Sequence, residues 1–299
     1  MICSTNATKY FDSLCAVDHV SAEIQTGSVF GLIGSNGAGK STFLRMLSGI
    51  LKPDEGSITI DDEEIFENVP LKNRCFYISD EQFFFSGITP LELQKHYSLY
   101  YPLFDKERYK KLMNAFELDE KRKIRTFSKG MKKQVSVIMG LCSGAEYLFC
   151  DETFDGLDPV ARQAVKSLFA EDIAERGITP IIASHNLREL EDICDHIGLL
   201  HRGGILFSRD LDDMKLGIHK VQVIWNKPFP ESSLSGLDII HKDRRGSLYT
   251  LTVRGTRDEV QNAISQTEPT FFELLPLSLE EIFISETEVI GYDIKSLLL

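Results

Sequence analysis

Hydrophobic positions follow two different periods along the first two thirds of the chain. Short, almost continuous apolar runs, typical of strands buried in a sheet, alternate with stretches in which apolar residues recur every three or four positions, as in amphipathic helices. The apolar runs lie at residues 28–33, 75–78, 147–150 and 179–184. Strands that alternate with helices predict an α/β core, in which a mixed sheet is flanked by helices.

Three segments depart from this pattern. The first residues, to about Thr26, alternate polar and apolar positions, which predicts a hairpin at the edge of the fold. Between Pro90 and about Glu120 the period is helical, which predicts a helical subdomain of about residues 88–128 inserted into the core. Beyond about residue 215, short alternating strands and helices predict a small α+β domain. The predicted organisation is a main domain at 1–214, an accessory domain at 215–287 and a tail at 288–299.

The composition narrows the class of protein. The 299 residues are 42% hydrophobic and 26% charged, as in a soluble globular protein, and the net charge of −12 argues against nucleic acid as a partner. Six scattered cysteines form no C-x-x-C pair, which favours a reduced, cytoplasmic protein over a disulfide or zinc framework. Neither an apolar stretch of membrane-spanning length nor a signal peptide is found, so the chain itself is not expected to cross a membrane.

The most informative local motif is GSNGAGKST, between a predicted strand and a predicted helix. It fits the phosphate-binding pattern G-x-x-x-x-G-K-[ST]. Glycines let main-chain N–H groups approach a polyphosphate closely, and the helix start adds its positive dipole end. Lys40 would reach the β- and γ-phosphates, and Ser41 would bind Mg²⁺. A plain glycine-rich turn is the alternative. The candidate phosphate-binding residues are Gly34, Ser35, Asn36, Gly37, Ala38, Gly39, Lys40, Ser41 and Thr42.

Two acids and a histidine follow other predicted strands. Asp151 and Glu152 end the stretch YLFCDE, and His185 ends TPIIASH. Since the carboxyl ends of parallel strands border the ligand crevice, Asp151 is a candidate magnesium ligand, and Glu152 a candidate base for the water that attacks the γ-phosphate. His185 is a candidate contact of the γ-phosphate. The alternatives are ordinary strand-end acids and a capping or core histidine.

Two further features point to a nucleotide less directly. Ser128 is a natural N-cap for the apolar-periodic helix that follows it, and the positive end of such a helix attracts an anion. A capped helix with no ligand is the alternative. Tyr10 and Phe11 are the aromatic candidates of the first hairpin, with packing in the interior as the alternative.

In their order along the chain, the motifs GSNGAGKST, FSKGM, YLFCDE and GLDP, and the histidine after IIAS, resemble those of the ATP-binding subunit of bacterial ABC transporters. The resemblance covers roughly Lys9 to Asp210 and implies the P-loop NTPase fold, with ATP and Mg²⁺ as cofactors. By this resemblance, Tyr10 would stack on the adenine, and Gly34–Thr42 would be the Walker A loop, with Lys40 in catalysis. Asp151 would bind magnesium, Glu152 would be the general base, and His185 would be the switch histidine. Gly156–Asp158 would be the D-loop, with Asp158 at the nucleotide site.

The resemblance also implies a second ATPase subunit. Ser128 and Gly130 match the signature segment, which in this family completes the ATP site of the opposing subunit. Two subunits, identical or paralogous, would therefore sandwich two ATP molecules head to tail. This segment departs from the usual LSGGQ at Lys129, which adds a positive charge, and at Met131.

The glutamine of the family's Q-loop has no single counterpart here. It is expected soon after the predicted strand that ends at Ile78. Asp80 occupies the nearest position and Gln82 follows two residues later. Either is a candidate to reach Mg²⁺ or its water, and the sequence leaves the choice open.

The carboxyl-terminal region, which ends in PLSLEEIFI before the tail, resembles the accessory region of bacterial exporter ATPases whose membrane subunit is a separate chain. The expected function is ATP hydrolysis that powers export through a separate transmembrane permease, by a protein bound peripherally to the inner face of the cell membrane. Two alternatives stay open. One is a non-transport ABC ATPase in a soluble assembly or regulatory complex, and the other is a regulatory nucleotide-binding module that scarcely hydrolyses ATP.

Overall fold

The computed structural model describes residues 1–226, 229–230 and 234–289, without the side chains of residues 207 and 285–289. The chain divides into two compact units, of which the first is Met1–Ser208 and the second begins at Arg209. This division falls a few residues before the predicted boundary at 214. The predicted tail lies outside the described residues from 290 onward. Within the described ranges, no helix combines the length and apolarity that crossing a bilayer requires.

Strands and helices alternate in the first unit as the hydrophobic pattern predicts. The strands are β1 (Ile2–Phe11), β2 (Leu14–Ile24), β3 (Phe30–Ile33), β4 (Glu55–Ile60), β5 (Glu63–Glu64), β6 (Cys75–Ile78), β7 (Tyr147–Asp151), β8 (Thr179–Ser184), β9 (His196–His201) and β10 (Gly204–Asp210). The helices are α1 (Lys40–Leu47), α2 (Val69–Lys72), α3 (Pro90–Tyr100), α4 (Lys106–Ala115), α5 (Lys129–Cys142), α6 (Pro159–Arg176) and α7 (Leu187–Glu191).

Two sheets form the first unit. The larger has the strand order β10-β9-β3-β8-β7-β6, in which β3 runs parallel to both β8 and β9, and β7 runs parallel to β6 and β8. The first hairpin is not an edge of this sheet. It belongs to a separate antiparallel sheet of order β2-β1-β4-β5, which the predicted single-sheet core did not include.

Helix α1 packs between the two sheets. Phe43 and Leu44 of α1 are fully buried in one continuous cluster with side chains from both sheets, such as Val17 of β2 and Phe149 of β7. Packing on two sides fixes the helix and therefore the loop that precedes it. The register of the larger sheet pairs Ile33 with Ser184, so the carboxyl ends of β3 and β8 are level.

The predicted helical insertion, about residues 88–128, contains α3 and α4, and α5 follows it directly. A capping box at Thr89 and Glu92, with Pro90 in the first turn, starts α3. The apolar faces of α4 and α5 are buried, whereas Leu99 and Tyr100 at the end of α3 are 77% and 58% exposed. These two residues follow helical spacing without facing the core.

The second unit is an antiparallel sheet with helices. Its elements are α8 (Leu211–Gly217), β11 (Ile218–Ile224), β12 (Asp238–Arg245), β13 (Leu248–Arg254), α9 (Arg257–Ser265), β14 (Phe271–Leu275) and α10 (Leu279–Val289), with the strand order β12-β13-β11-β14. Alternate residues of β11 and β13 form its core with Val260 and Ile264 of α9. A capping box, readable in the local sequence SLEE, joins Ser278 to Glu281 at the start of α10.

Candidate nucleotide-binding site

The loop between β3 and α1 is held closely from both sides. Gly39 has a φ of 101°, and a Cβ there would collide with the carbonyl oxygen of Ala16 in β2. A Cβ on Gly34 would lie 2.5 Å from the carbonyl oxygen of Leu200 in β9. Glycine at both positions therefore lets the loop sit against its neighbours, with its N–H groups at the start of α1.

Lys40 turns back over this loop. Its side chain is only 6% exposed, and Nζ donates hydrogen bonds to the carbonyl oxygens of Gly34 at 2.9 Å and Ser35 at 3.3 Å. The same ammonium lies 3.3 Å from Oε1 of Glu152. A concave loop with a positive charge at its centre is complementary to a polyphosphate.

Asp151 ends strand β7, which β8 separates from β3 in the larger sheet, and it is 1% exposed. Ser41 donates a hydrogen bond from Oγ to Oδ1 of Asp151 at 2.9 Å, and Tyr77 donates one to Oδ2 at 2.9 Å. Burial raises the pKa of Tyr77, so its hydroxyl stays protonated and remains a donor. The hydroxyl and carboxylate oxygens of Ser41 and Asp151 are the kind of ligand that Mg²⁺ prefers, so the two residues fit this cation.

Glu152 lies between Lys40 and His185. Its Oε2 is 2.9 Å from Nδ1 of His185 and accepts a longer hydrogen bond, at 3.4 Å, from the main-chain N–H of the same residue. Its φ of 46° is in the left-handed region, which a non-glycine residue adopts at an energetic cost. This conformation turns the side chain from the end of β7 toward the end of β8. Because His185 is half exposed, it is not a core histidine.

The two candidates for the Q-loop position make contacts elsewhere. Oδ1 of Asp80 lies 3.3 Å from Nζ of Lys133, and the side-chain amide of Gln82 donates to the carbonyl oxygens of Ser79 and Asp80. No described contact joins either side chain to Ser41 or Asp151. A magnesium role for Asp80 or Gln82 therefore stays a prediction without support from these contacts.

Tyr10 lies beside the phosphate loop at the end of the β1–β2 hairpin. It pairs with Cys15, next to Ala16, whose carbonyl oxygen faces Gly39. The ring is 42% exposed, so it is not packed in the interior. The negative charge of Glu55 raises the pKa of Tyr10, which keeps the phenol neutral.

The predicted signature and D-loop residues form a second region of the first unit. Ser128 caps α5 by accepting a hydrogen bond from the N–H of Met131 at 3.2 Å. A Cβ on Gly130 would lie 2.9 Å from the carbonyl oxygen of Gly156, so the two segments touch. Asp158 caps α6 by accepting from the N–H groups of its first turn. No described contact connects Ser128, Gly130 or Asp158 with the loop at 34–42.

Comparisons with known proteins agree with this geometry. A family model described as ABC transporter matches residues 17–155. The ABC transporter ATP-binding protein YtrB of Bacillus subtilis (strain 168) is 31% identical over 279 residues, which cover 93% of this chain and 95% of YtrB. The chain belongs to the ATP-binding subunits of ABC transporters.

Two more matches support the same family. The bacitracin transport ATP-binding protein BcrA of Bacillus licheniformis is 32% identical over 218 residues, covering 72% of this chain and 71% of BcrA. A solved structure of the ATP-binding subunit of an ABC transporter superposes with a TM-score of 0.66 at 26% identity, over 72% of this chain and 92% of the other. These matches confirm the predicted P-loop NTPase fold of the ABC type and its class, an ATP-binding ATPase.

Two residues that contact the site of this ABC ATPase were missed by sequence reasoning. Tyr77 is an ordinary apolar position of β6 in the hydrophobic pattern, and its partner Asp151 is far away in sequence. Lys133 interrupts the buried face of α5, four residues before the buried Val137. The sequence contained a signal for Lys133, because a lysine at a position that helical periodicity assigns to the core indicates a buried charge with a specific partner.

Proposed function

We propose that this ATPase hydrolyses ATP as a head-to-tail pair of subunits and thereby powers export through a separate transmembrane permease. The observation that carries the proposal is the convergence of Lys40, Asp151, Glu152 and His185 at one edge of the larger sheet. These residues come from α1, β7 and the turns after β7 and β8. Nζ of Lys40 and Nδ1 of His185 lie 3.3 and 2.9 Å from the Glu152 carboxylate, and Oδ1 of Asp151 lies 2.9 Å from Oγ of Ser41.

The phosphate loop and Lys40 would bind the triphosphate. N–H groups of residues 35–42 face the phosphate oxygens in this proposal, and the Lys40 ammonium exchanges its contact with Glu152 for the β- and γ-phosphates. Ser41 and Asp151 would hold Mg²⁺, which would neutralise charge on the phosphate oxygens when bound. Tyr77 fixes the Asp151 carboxylate from the side opposite Ser41.

Glu152 would act as the general base. Once Lys40 turns to the phosphates, the Glu152 carboxylate is free to accept a hydrogen bond, and then a proton, from a water in line with the γ-phosphorus. His185 would keep Oε2 of Glu152 in place through its contact at 2.9 Å, and its half-exposed ring would also reach the γ-phosphate. Tyr10 would stack on the adenine at the edge of the loop.

A second subunit would complete the site. The start of α5 presents N–H groups, the Ser128 hydroxyl and the Lys129 ammonium, and a hydrogen bond to Asp155 raises the pKa of Lys129 and keeps it charged. This positive end is complementary to a triphosphate that is bound to the phosphate loop of another copy or of a paralogue. ATP then joins the subunits, and its hydrolysis separates them.

A charge at position 128 tests this arrangement. Asp, Asn and Ser are comparable N-caps, so Ser128→Asp and Ser128→Asn both preserve α5, but only Asp places a negative charge against the triphosphate. We expect Ser128→Asp to abolish ATP-dependent dimerisation in analytical ultracentrifugation and to lower turnover by about 10-fold or more, a cost of roughly 1.4 kcal/mol. Ser128→Asn is the matched control and should dimerise. Equal dimerisation of both variants would refute the sandwich.

The permease would bind to an exposed aromatic patch, formed by Phe83 and Phe85 of the loop before α3 and by His96 and Tyr100 of α3. Successive rings of this patch lie 6.0, 5.7 and 5.2 Å apart, and Phe83 is 85% exposed. A cavity of about 220 Å³ beside the patch is lined by residues that include Ser79 and Gln82. Contiguous exposed apolar surface of this kind marks a binding site, and we assign it to a cytoplasmic helix of the membrane subunit.

The export of a peptide, lipid or drug-like cargo and the position at the inner face of the cell membrane belong to the same proposal. The names of the relatives support a role in transport, since YtrB is named an ABC transporter ATP-binding protein and BcrA is named for bacitracin transport.

Phe83→Asp tests the docking surface. A charge in place of a highly exposed aromatic ring removes an interface hot spot, so we expect recovery of the membrane subunit from native membranes to fall by about 10-fold or more. Val69→Asp is the matched control because Val69 is also exposed, at 64%, on a helix outside the patch. Recovery is measured by quantitative mass spectrometry of integral membrane proteins. If neither the unchanged protein nor Val69→Asp recovers such a protein, the transport proposal fails.

A further inference from the structure

Lys133 is an unusual lysine. It lies on the buried face of α5 and is 0% exposed, whereas lysine is almost never fully buried unless it is paired. Its ammonium has three N–H donors, and the structure provides three acceptors. They are the main-chain oxygen of Glu152 at 2.9 Å, the main-chain oxygen of Asp80 at 3.2 Å and Oδ1 of Asp80 at 3.3 Å.

Stability alone does not account for a charge in this position. Burial lowers the pKa of Lys133 because it penalises the charged form, and the Asp80 carboxylate offsets only part of this cost. An apolar side chain of similar length is often as stabilising as a buried ion pair. The position of the ammonium is more informative, since two of its three bonds go to main-chain oxygens that a methionine cannot hold.

One of the two main-chain oxygens bonded to Lys133 belongs to Glu152, whose backbone conformation is strained. Glu152 has a φ of 46°. Its N–H donates to the carbonyl oxygen of Ala183 at 2.9 Å, and its own carbonyl oxygen accepts from Lys133 at 2.9 Å and from the N–H of Asp155 at 3.2 Å. The N–H is therefore held by β8, and the carbonyl oxygen by α5 and by the turn that follows β7. This double attachment stabilises a conformation that aims the carboxylate between Lys40 and His185.

We propose that Lys133 is a positioning residue, which holds the Glu152 main chain in its active conformation and links it to the loop that begins at Asp80. This inference rests on the proposed role of Glu152 as the general base. The loop continues to Phe83 and Phe85 of the aromatic patch, so the lysine is a direct polar connection between the patch-bearing loop and the base. Binding of a partner at the patch that moved Asp80 would alter the position of Glu152 through one side chain.

The test is Lys133→Met in the full chain. Methionine keeps the length and apolar contacts of the lysine but removes all three hydrogen bonds. We expect kcat for ATP hydrolysis to fall by about 10- to 100-fold, because displacement of a reacting group by about 1 Å has an effect of that size. The Kd for ATP should change by less than about threefold, since Lys133 does not contact the phosphate loop, a difference below roughly 0.7 kcal/mol.

Lys166→Met is the matched control. Lys166 is also a largely buried helical lysine, whose Nζ contacts Asp192 at 2.9 Å and lies over the ring of Phe154. Each substitution removes the ion pair of a largely buried ammonium, but only Lys133→Met is expected to lower kcat, whatever the change in melting temperature. If kcat falls equally in the two variants, the effect is general destabilisation and the proposal is wrong.

Asp80→Ala provides a second measurement, which also serves if Lys133→Met does not fold. Asp80 is 43% exposed, so its replacement is compatible with folding. It should lower kcat by about three- to tenfold, and the double variant should be no slower than Lys133→Met, because residues that act through one contact are not additive. If kcat is unchanged in Asp80→Ala, or if the losses of kcat in the double variant are strictly additive, the proposed connection from Asp80 through Lys133 to Glu152 is wrong.

The two proposals can fail separately. If Glu152→Gln retains full turnover, Glu152 is not the base and both proposals fall. If Glu152→Gln is inactive while folded Lys133→Met keeps its kcat within about twofold, a difference below roughly 0.4 kcal/mol, only the positioning role is refuted.

Discussion

Glu152→Gln is expected to reduce steady-state phosphate release by about 10²- to 10⁴-fold, the range by which a positioned general base accelerates a reaction. In the unchanged protein, the Glu152 carboxylate lies 3.3 Å from Nζ of Lys40 and 2.9 Å from Nδ1 of His185. Glutamine has the same shape, so its amide oxygen still accepts a hydrogen bond from Lys40 and the side chain stays within reach of His185. It cannot take up a proton from water. The loss should therefore appear in kcat, with ATP binding retained and the ATP-bound dimer longer-lived.

Glu189→Gln is the matched control for this change. Glu189 is another buried carboxylate near the end of β8, where it accepts a hydrogen bond from Ser184 at 3.1 Å, and it does not contact Lys40. This substitution should leave kcat within about threefold of the unchanged protein, a difference below roughly 0.7 kcal/mol. Turnover is followed by a coupled phosphate assay and binding by calorimetry. Full activity of Glu152→Gln, or parallel losses of kcat and ATP affinity, would contradict the assignment of the base.

Lys40→Ala is expected to weaken ATP binding by about 10- to 100-fold, because a hydrogen bond to a charged group contributes roughly 1.5–3 kcal/mol. The ammonium is almost fully buried above the loop, so truncation removes a desolvated positive charge from the place where the proposal puts the phosphates. It also leaves Glu152 without its cation at 3.3 Å, and the negative charge then repels the triphosphate.

Calorimetric titration with ATP and with ADP checks this prediction. The loss should be larger for ATP than for ADP, because Lys40 is assigned to the β- and γ-phosphates. Lys166→Ala is a control in which another largely buried lysine, whose ammonium contacts Asp192, is truncated, and it should bind ATP normally. Unchanged ATP affinity in Lys40→Ala would contradict the assignment of residues 34–42 as the phosphate-binding loop.

The sequence by itself determined those parts of the protein that depend on neighbours along the chain. The phosphate loop needs its glycines, Lys40 and Ser41 within one short segment, between a buried strand and an apolar-periodic helix, and all of these are local properties. The same holds for the N-cap at Ser128 and the capping box at Ser278. The acids at the end of β7 and the histidine after β8 could be placed at one edge because parallel strands end at the same side of a sheet.

Only the tertiary structure decided features that join residues distant in sequence. The first hairpin belongs to its own antiparallel sheet, which hydrophobic alternation cannot assign because every edge strand alternates in the same way. Strand β12 has no counterpart in the hydrophobic pattern because its exposed, charged side chains give no alternating apolar signal, as is common at a sheet edge. Leu99 and Tyr100 have helical spacing but face outward, since burial depends on what packs against a helix.

The contacts of the acidic side chains Asp80, Asp151 and Glu152 show most clearly what the sequence alone cannot predict. Asp80 was a candidate for the magnesium site because of its position after β6, but in the fold its carboxylate contacts Lys133. Hydrogen bonds and ion pairs act over about 3 Å, so a side chain's partner is set by where three-dimensional packing brings it. The pattern of residue types therefore determined which groups the site contains, and packing determined which of them contact Asp151 and Glu152.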